Sequence, residues 1–83
     1  MWHVYVLRSQ KNGRLYTGST DDLGRRLQEH ARGKSPYTRH AGPFELIYSE
    51  DCATRLEARR RECFLKTGRG RAMLKENLGH RFG

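Results

Sequence analysis

Five side chains of this sequence could together cleave a phosphodiester bond: Tyr5, Tyr16, Arg26, His30 and Glu62. Cleavage needs a proton acceptor for the attacking water and cations that stabilise the charge developing on the phosphate and the leaving oxygen. Tyr5 could accept the proton if neighbouring cations favour its ionised form, and His30 could orient the phenol. The planar fork of Arg26 suits the non-bridging phosphate oxygens. Glu62 offers hard oxygens to Mg²⁺ or Mn²⁺, and Tyr16 could bind the phosphate or the water.

The charge of the chain favours a nucleic-acid partner. Its 83 residues include 17 Lys and Arg against nine Asp and Glu, a formal net charge of +8. Most of this surplus is arginine, which suits phosphate, although a charge-rich soluble surface is the plainer alternative. No apolar run is long enough to span a bilayer, and the first ten residues lack the pattern of a signal peptide. We therefore expect no membrane partner.

The two cysteines, Cys52 and Cys63, predict a reducing compartment. Their spacing fits no CxxC metal or redox motif, and two cysteines make no disulfide framework. The four histidines show no zinc-ligand spacing with them. We therefore expect free thiols in a cytoplasmic protein without a structural zinc ion.

The start of the chain predicts a β-hairpin. Residues 2–8 (WHVYVLR) are rich in β-branched and aromatic types, and residues 14–19 (RLYTGS) form a second short strand. Asn12 and Gly13 between them are a turn signal. Apolar residues occupy both alternating sets of the first strand, which predicts that both of its faces are covered. A third strand is predicted over residues 44–49 (FELIYS).

The first helix is predicted over residues 20–32. Ser19 or Thr20 can cap it, because a side-chain oxygen there accepts a hydrogen bond from the first helical turn. Its apolar stripe consists of Leu23, Leu27 and Ala31. Arg26 and His30, four residues apart, then lie together at the edge of this stripe, where they can reach the sheet.

Two more helices are predicted over residues 53–67, ending near Gly68, and over residues 71–78, ending at Gly79. The element order is then ββαβαα. This order is typical of a small α+β domain in which helices flank a three-stranded antiparallel sheet that contains the hairpin. No linker or repeat divides the chain, so residues 1–83 are expected to form a single domain.

Short motifs lie on the predicted hairpin and on the two helices after it. The hairpin carries the tripeptides 3–5 (HVY) and 16–18 (YTG), of which both contain Tyr and the second ends in Gly. The first helix has Leu-x-x-Arg over residues 23–26, followed after four residues by His30. Residues 57–66 of the second helix hold E-A-x-x-x-E and then Leu-Lys. Together these motifs resemble the GIY-YIG nuclease superfamily, including the excision-repair nuclease UvrC, although the first tripeptide lacks both Gly and Ile and the second has Thr in place of Ile.

The resemblance implies a divalent-metal-dependent endonuclease that hydrolyses phosphodiester bonds in DNA, structure-selective or repair-related. It implies catalytic roles for Tyr5, Tyr16, Arg26, His30 and Glu62. It also implies one Mg²⁺ or Mn²⁺ ion held by a single carboxylate, with water in most other positions. Glu62 has the family's spacing to the Leu-Lys pair and is favoured as the metal ligand. Glu57 is the competing carboxylate, and its plainer role is a negative charge near the helix N-terminus.

Basic and aromatic side chains near these motifs are expected to bind the nucleic-acid backbone. The candidates are Arg25, Lys34, Tyr37, Arg39, Arg59 and Lys66. Arg25 could instead serve solubility alone. Tyr37 could stack on an unpaired base or pack on the domain. DNA is favoured over RNA as the bound polymer.

Two other functions stay open on the sequence alone. The chain could be a non-catalytic nucleic-acid-binding module, since the same positive surface serves binding and cleavage. It could also be a nuclease subunit that a targeting protein partner directs to its substrate. The nuclease is favoured because a pure binder has no need of the lone carboxylate Glu62 among arginines.

Overall fold

The computed structural model describes residues 1–32 and 43–77. Its central element is a three-stranded antiparallel sheet. Strand β1 (Trp2–Ser9) lies in the middle, between β2 (Leu15–Thr20) and β3 (Phe44–Cys52). The predicted hairpin is confirmed, and β3 continues three residues beyond its predicted end. β2 is an edge strand of this sheet, which leaves its outer side open to other groups.

The central strand is buried on both faces, as its alternating apolar residues predicted. Its residues 4–7 expose at most 3% of their surface. The turn after it needs Gly13, whose φ of 76° lies in the left-handed region. Gly13 also donates a backbone hydrogen bond to the carbonyl of Ser9 at 2.8 Å, which closes the turn. The hairpin therefore rests on local turn chemistry together with burial of β1.

The first helix, α1 (Leu23–Ala31), begins later than predicted. Its N-cap is Asp22, whose side chain accepts a hydrogen bond from the backbone nitrogen of Arg25 at 3.0 Å. Thr20 still belongs to β2, and its Oγ1 accepts instead from the nitrogen of Asp22 at 3.1 Å. The predicted caps Ser19 and Thr20 were thus wrong, because two residues are needed to turn from the strand into the helix.

The buried face of α1 also differs from the predicted stripe. Leu23 and Leu27 are half-buried as expected, but Ala31 is exposed and its neighbour His30 is buried. A hydrogen bond to Tyr5 satisfies the imidazole of His30 inside the protein, which removes much of the cost of burying it. A polar residue therefore completes the inner face of the helix.

The second helix, α2 (Arg55–Leu65), begins with a capping box. Thr54 Oγ1 accepts from the nitrogen of Glu57 at 3.1 Å, and Glu57 Oε2 accepts from the nitrogen of Ala53 at 3.1 Å. The nitrogen of Glu57 is one of the donors that helix formation leaves unpaired, whereas Ala53 precedes the N-cap Thr54, so this capping box is shifted by one residue at its second contact. This geometry places Glu57 at the helix start, as its plainer role predicted.

The third helix, α3 (Gly68–Asn77), begins earlier than predicted, and α2 ends earlier. Gly68 was expected to end α2, but it is the first residue of α3. Thr67 Oγ1 accepts from the nitrogen of Gly70 at 3.1 Å and donates to the carbonyl of Phe64 at 2.6 Å, so its side chain links the two helices. The predicted end at Gly79 lies outside the described residues.

The core lies between the sheet and these last two helices. It consists of Val4, Val6, Ile47, Ala58, Leu65 and Leu74. The structure thus confirms an α+β fold with the order ββαβαα. None of the helices in the described part of the chain is long and apolar enough to cross a membrane.

Close packing of α3 on α2 depends on Gly70. A Cβ atom at this position would overlap the carbonyl oxygen of Phe64 and lie 2.6 Å from Leu65 Cα. Because both obstacles are backbone, we expect Gly70→Ala to cost about 1–3 kcal/mol of unfolding free energy. Gly68→Ala is the matched control, since a Cβ there meets nothing within 4 Å. Urea denaturation measures both, and equal stability of the two variants would contradict this packing.

Candidate active site

The register of the hairpin places Tyr5 and Tyr16 on one face of the sheet. Tyr5 is paired with Gly18, and Tyr16 is paired with Leu7. Directly opposed residues of antiparallel strands project to the same face, and so do residues two apart on one strand. The two tyrosines are therefore diagonal neighbours on the side of the sheet opposite the main core.

The hydroxyl of Tyr5 lies between a cation and an imidazole. Arg26 donates through Nε to Tyr5 Oη at 3.3 Å, and His30 Nε2 lies 3.1 Å from the same oxygen. The tyrosine is only 3% exposed, so these partners hold it in one position. Gly18 leaves the room for it, because a Cβ there would lie 2.5 Å from Tyr5 Oη. The second tripeptide therefore needs a glycine because the Tyr5 side chain lies too close to this backbone for any Cβ atom.

The charges around Tyr5 are unequal. Burial, followed by the positive charge of Arg26, lowers the pKa of His30 below its ordinary 6.5. The hydrogen bond to Tyr5 raises the pKa of Arg26, and Glu29 acts in the same direction. At neutral pH the hydroxyl of Tyr5 therefore lies between a neutral imidazole, which can accept a proton, and the positive charge of Arg26.

The lowered pKa of His30 predicts a loss of stability in acid. The unfolded chain binds a proton near pH 6.5, whereas the folded chain resists it until the pH is lower. The contribution of His30 to the free energy of unfolding is therefore present above about pH 6.5, and it is lost as the pH falls toward the pKa of His30 in the folded protein. Urea denaturation at about pH 7.5 and about pH 5.5 should show a larger loss for the wild type than for His30→Gln. Equal losses would contradict the burial of a neutral imidazole.

Glu62 lies near the Tyr5 site but on the opposite face of the sheet. It belongs to α2, and Ser19 on the edge strand β2 donates through Oγ to Glu62 Oε1 at 2.8 Å. Ser19 is paired with Val4, so it lies on the face of the main core, opposite Tyr5. Lys66 Nζ lies 2.9 Å from Glu62 Oε2. The carboxylate is thus fixed at the outer edge of β2.

A single cleft of about 750 Å³ joins both sides across this edge strand. Its lining includes all five candidate catalytic residues: Tyr5, Tyr16, Arg26, His30 and Glu62. The ring of Tyr16 packs edge-on against Phe44 with centroids 5.3 Å apart, and Phe44 packs in the same way against His30 at 6.1 Å. Phe44 thereby steadies two candidate residues, and its role could not be read from the sequence.

Four cations line the cleft besides Arg26. They are Arg14, Arg59, Lys66 and Arg71. Arg59 and Lys66 were expected near the site, whereas Arg14 and Arg71 were not. Within the described ranges, no carboxylate lies within ion-pairing distance of Arg14, Arg59 or Arg71. These three guanidinium groups are therefore available to an anionic ligand.

The remaining residues that were predicted to bind nucleic acid do not line this cleft within the described part of the chain. Arg25 lines a neighbouring cleft of about 650 Å³ and pairs with Asp21 at 3.3 Å and Glu29 at 3.6 Å. Arg61, which is next to Glu62 in sequence, pairs instead with Glu50 at 2.8 Å. The binding candidates Lys34, Tyr37 and Arg39 lie outside the described residues. Nucleic-acid binding by Arg25 stays a prediction.

Glu62 is the residue of the cleft that could hold one hard divalent cation. Glu62 is the one carboxylate among the described residues that line it, and in that part of the chain no three His, Cys, Asp or Glu side chains cluster as metal ligands. Mg²⁺ is commonly held by one or two carboxylates together with waters and substrate phosphates. A fixed carboxylate next to the Ser19 hydroxyl and an open cleft meets this need. Glu57 is used in the capping box at the start of α2.

The molecule is a small α+β domain with a cation-lined cleft at an edge strand. A family model described as the GIY-YIG catalytic domain matches residues 1–77, and the chain therefore belongs to the GIY-YIG nuclease family. The earlier resemblance is confirmed.

Proteins from several bacteria are similar to this chain. A UPF0213 protein of Xanthomonas axonopodis pv. citri is 44% identical over 66 residues, 78% of this chain and 64% of the relative. One of Pseudomonas aeruginosa is 42% identical over 78 residues, 93% of this chain and 72% of the relative. This chain thus spans less than two thirds of the length of the Xanthomonas protein, and 60% of a 43% identical UPF0213 protein from Desulfotalea psychrophila.

A solved structure is similar as well. The solution NMR structure of a UPF0213 protein from Bacillus halodurans has a TM-score of 0.57 and 38% sequence identity. The similarity covers 92% of this chain and 84% of the other. The architecture described above is therefore shared with a protein of known structure.

Proposed function

We propose that this chain is a divalent-metal-dependent endonuclease that hydrolyses phosphodiester bonds in DNA. The observation that carries this proposal is the position of Tyr5 Oη between Arg26 Nε and His30 Nε2, in the cleft that Glu62 also lines. A phenol that can pass its own proton to a neutral imidazole, with a cation beside its oxygen, can in turn take a proton from water. A tyrosine used only for packing has no need of both partners.

Each residue then has a role that follows from its contacts. Tyr5 accepts the proton of the attacking water while its own phenolic proton passes to His30 Nε2, which also fixes the orientation of the phenol. Arg26 stabilises the phenolate and, with its remaining donors, a non-bridging phosphate oxygen. Tyr16 contacts the phosphate or the water from the neighbouring strand.

Glu62 would hold the Mg²⁺ or Mn²⁺ ion, and Ser19 fixes its carboxylate. When bound, the ion supplies charge neutralisation at the phosphate and the leaving oxygen. Arg14, Arg59 and Arg71 bind the flanking phosphates. The protein needs no dedicated cage of carboxylates for this chemistry, because substrate and water complete the coordination.

Cleavage of a substrate panel tests this function. Purified protein is incubated with labelled duplex, branched, bubble and single-stranded DNA, and with matching RNA, in Mg²⁺ or Mn²⁺ and in EDTA. We expect at least one DNA structure to be cut internally in metal and not in EDTA. Binding of every substrate without cleavage would instead indicate a non-catalytic binding module, and cleavage of RNA alone would overturn the choice of DNA.

The unpaired arginines predict strongly salt-dependent binding. With about four phosphate contacts, affinity should fall about a hundredfold between about 50 and about 200 mM salt as counterions are released. Arg59→Gln should reduce the slope of log affinity against log salt by about one. Arg60→Gln is the matched control, because Arg60 is exposed on α2 but does not line the cleft. Equal slopes for the two variants, measured by fluorescence anisotropy, would remove Arg59 from the interface.

A further inference from the structure

Both carboxylate oxygens of Glu62 already have partners inside the protein. Ser19 Oγ donates to Oε1 at 2.8 Å, and Lys66 Nζ donates to Oε2 at 2.9 Å. Lys66 follows Glu62 by one helical turn, and its side chain is 52% exposed against 19% for the glutamate. The ammonium group therefore reaches the carboxylate from the accessible side of the cleft, by which a cation would also enter.

Ser19 and Lys66 differ in whether they can remain in contact with Glu62 when a metal ion binds to it. Ser19 is neutral, lies on a strand, and keeps lone pairs that a hard cation can use. The Lys66 ammonium carries a positive charge and three donors but no acceptor, so it can neither ligate a cation nor lie beside one without repulsion. Of the two, Lys66 is the group that must leave.

We propose that Lys66 is a built-in competitor for the divalent cation at Glu62, and that metal binding displaces its ammonium group into the substrate side of the cleft. This inference rests on the proposed role of Glu62 as a metal ligand. The displaced Lys66 still lines the cleft with Arg59 and Arg71, where it becomes an additional phosphate contact. Metal and nucleic acid then strengthen each other's binding, and by linkage the effect is equal in both directions.

Binding of Mn²⁺ without nucleic acid tests the competition, and electron paramagnetic resonance measures the free ion. Lys66→Met should bind Mn²⁺ about tenfold more tightly than the wild type, because a contacting positive charge is removed. The matched control is Arg59→Met, which removes the same charge from the same cleft but makes no contact with Glu62, and should change affinity by at most about twofold. Lys66→Arg should bind like the wild type because it retains the competing charge.

The outcomes separate this inference from the proposed function. Glu62→Gln should lose Mn²⁺ binding, and an unchanged affinity in that variant would overturn the metal site itself. If Glu62→Gln loses binding but Lys66→Met gains no more than Arg59→Met, the competitor role of Lys66 is overturned while the metal site stands. Circular dichroism of all variants confirms that each is folded.

DNA binding provides a second readout of the released ammonium. In a Tyr5→Phe background, which keeps Glu62 and Lys66, Ca²⁺ should steepen the salt dependence of DNA affinity by about one phosphate contact. The added contact should disappear when Lys66→Met is introduced. A Ca²⁺ effect of the same size with and without Lys66 would show that the ammonium does not move to the phosphate.

Discussion

Glu62→Gln is expected to reduce cleavage about a thousandfold or more. The substitution keeps the size of the side chain and its place beside Ser19, but it removes the charge that we propose holds the divalent cation. A loss of this size corresponds to about 4 kcal/mol of transition-state stabilisation, which is within what a metal ion supplies. Steady-state cleavage of the best substrate measures it.

The same variant should still fold and bind DNA. Removing a negative charge from a cleft lined by arginines reduces repulsion of phosphate, so DNA binding measured in EDTA should be equal or tighter. The matched control is Glu57→Gln, which weakens the capping box of α2 by about 0.5–1 kcal/mol but leaves the cleft intact. Full cleavage by Glu62→Gln together with loss in Glu57→Gln would transfer the metal to Glu57.

Tyr5→Phe is expected to lose cleavage by about 10²–10⁴-fold, the usual contribution of a general base. Phenylalanine fills the same buried space, so the fold should be kept, but the oxygen between Arg26 and His30 is gone. Tyr48→Phe is the matched control, because that hydroxyl contacts Glu50 on β3, away from the cleft. Cleavage at the native rate by Tyr5→Phe would make Tyr5 a packing residue.

Local signals account for the parts of the fold that could be predicted. The turn at Gly13 and the alternation along β1 depend on neighbouring residues alone, and they correctly indicated the hairpin and the burial of β1 on both faces. Helix boundaries were less certain because the cap depends on where the preceding element ends. Asp22 caps α1 only because β2 extends through Thr20.

Contacts between distant segments account for what could not be predicted. Hydropathy placed Ala31 on the inner face of α1, but His30 is buried because Tyr5, from a strand far away in sequence, supplies its hydrogen bond. Arg71 lines the cleft only because Gly70 lets α3 pack closely on α2. The pairing of Glu62 with Ser19 joins residues 43 positions apart.

Hydrolysis in water enriched in ¹⁸O tests the central claim most directly. The wild type and Glu62→Gln are incubated with a cleavable DNA structure and Mg²⁺ in labelled water, and the masses of the products are measured by mass spectrometry. If Tyr5 activates a water molecule in the cleft of Glu62, the wild-type fragment that keeps the terminal phosphate carries one ¹⁸O atom there, the other fragment ends in a hydroxyl group, and the variant gives about a thousandfold less product. Product phosphates without the label, or no wild-type product with any DNA structure in Mg²⁺ or Mn²⁺, would contradict the account.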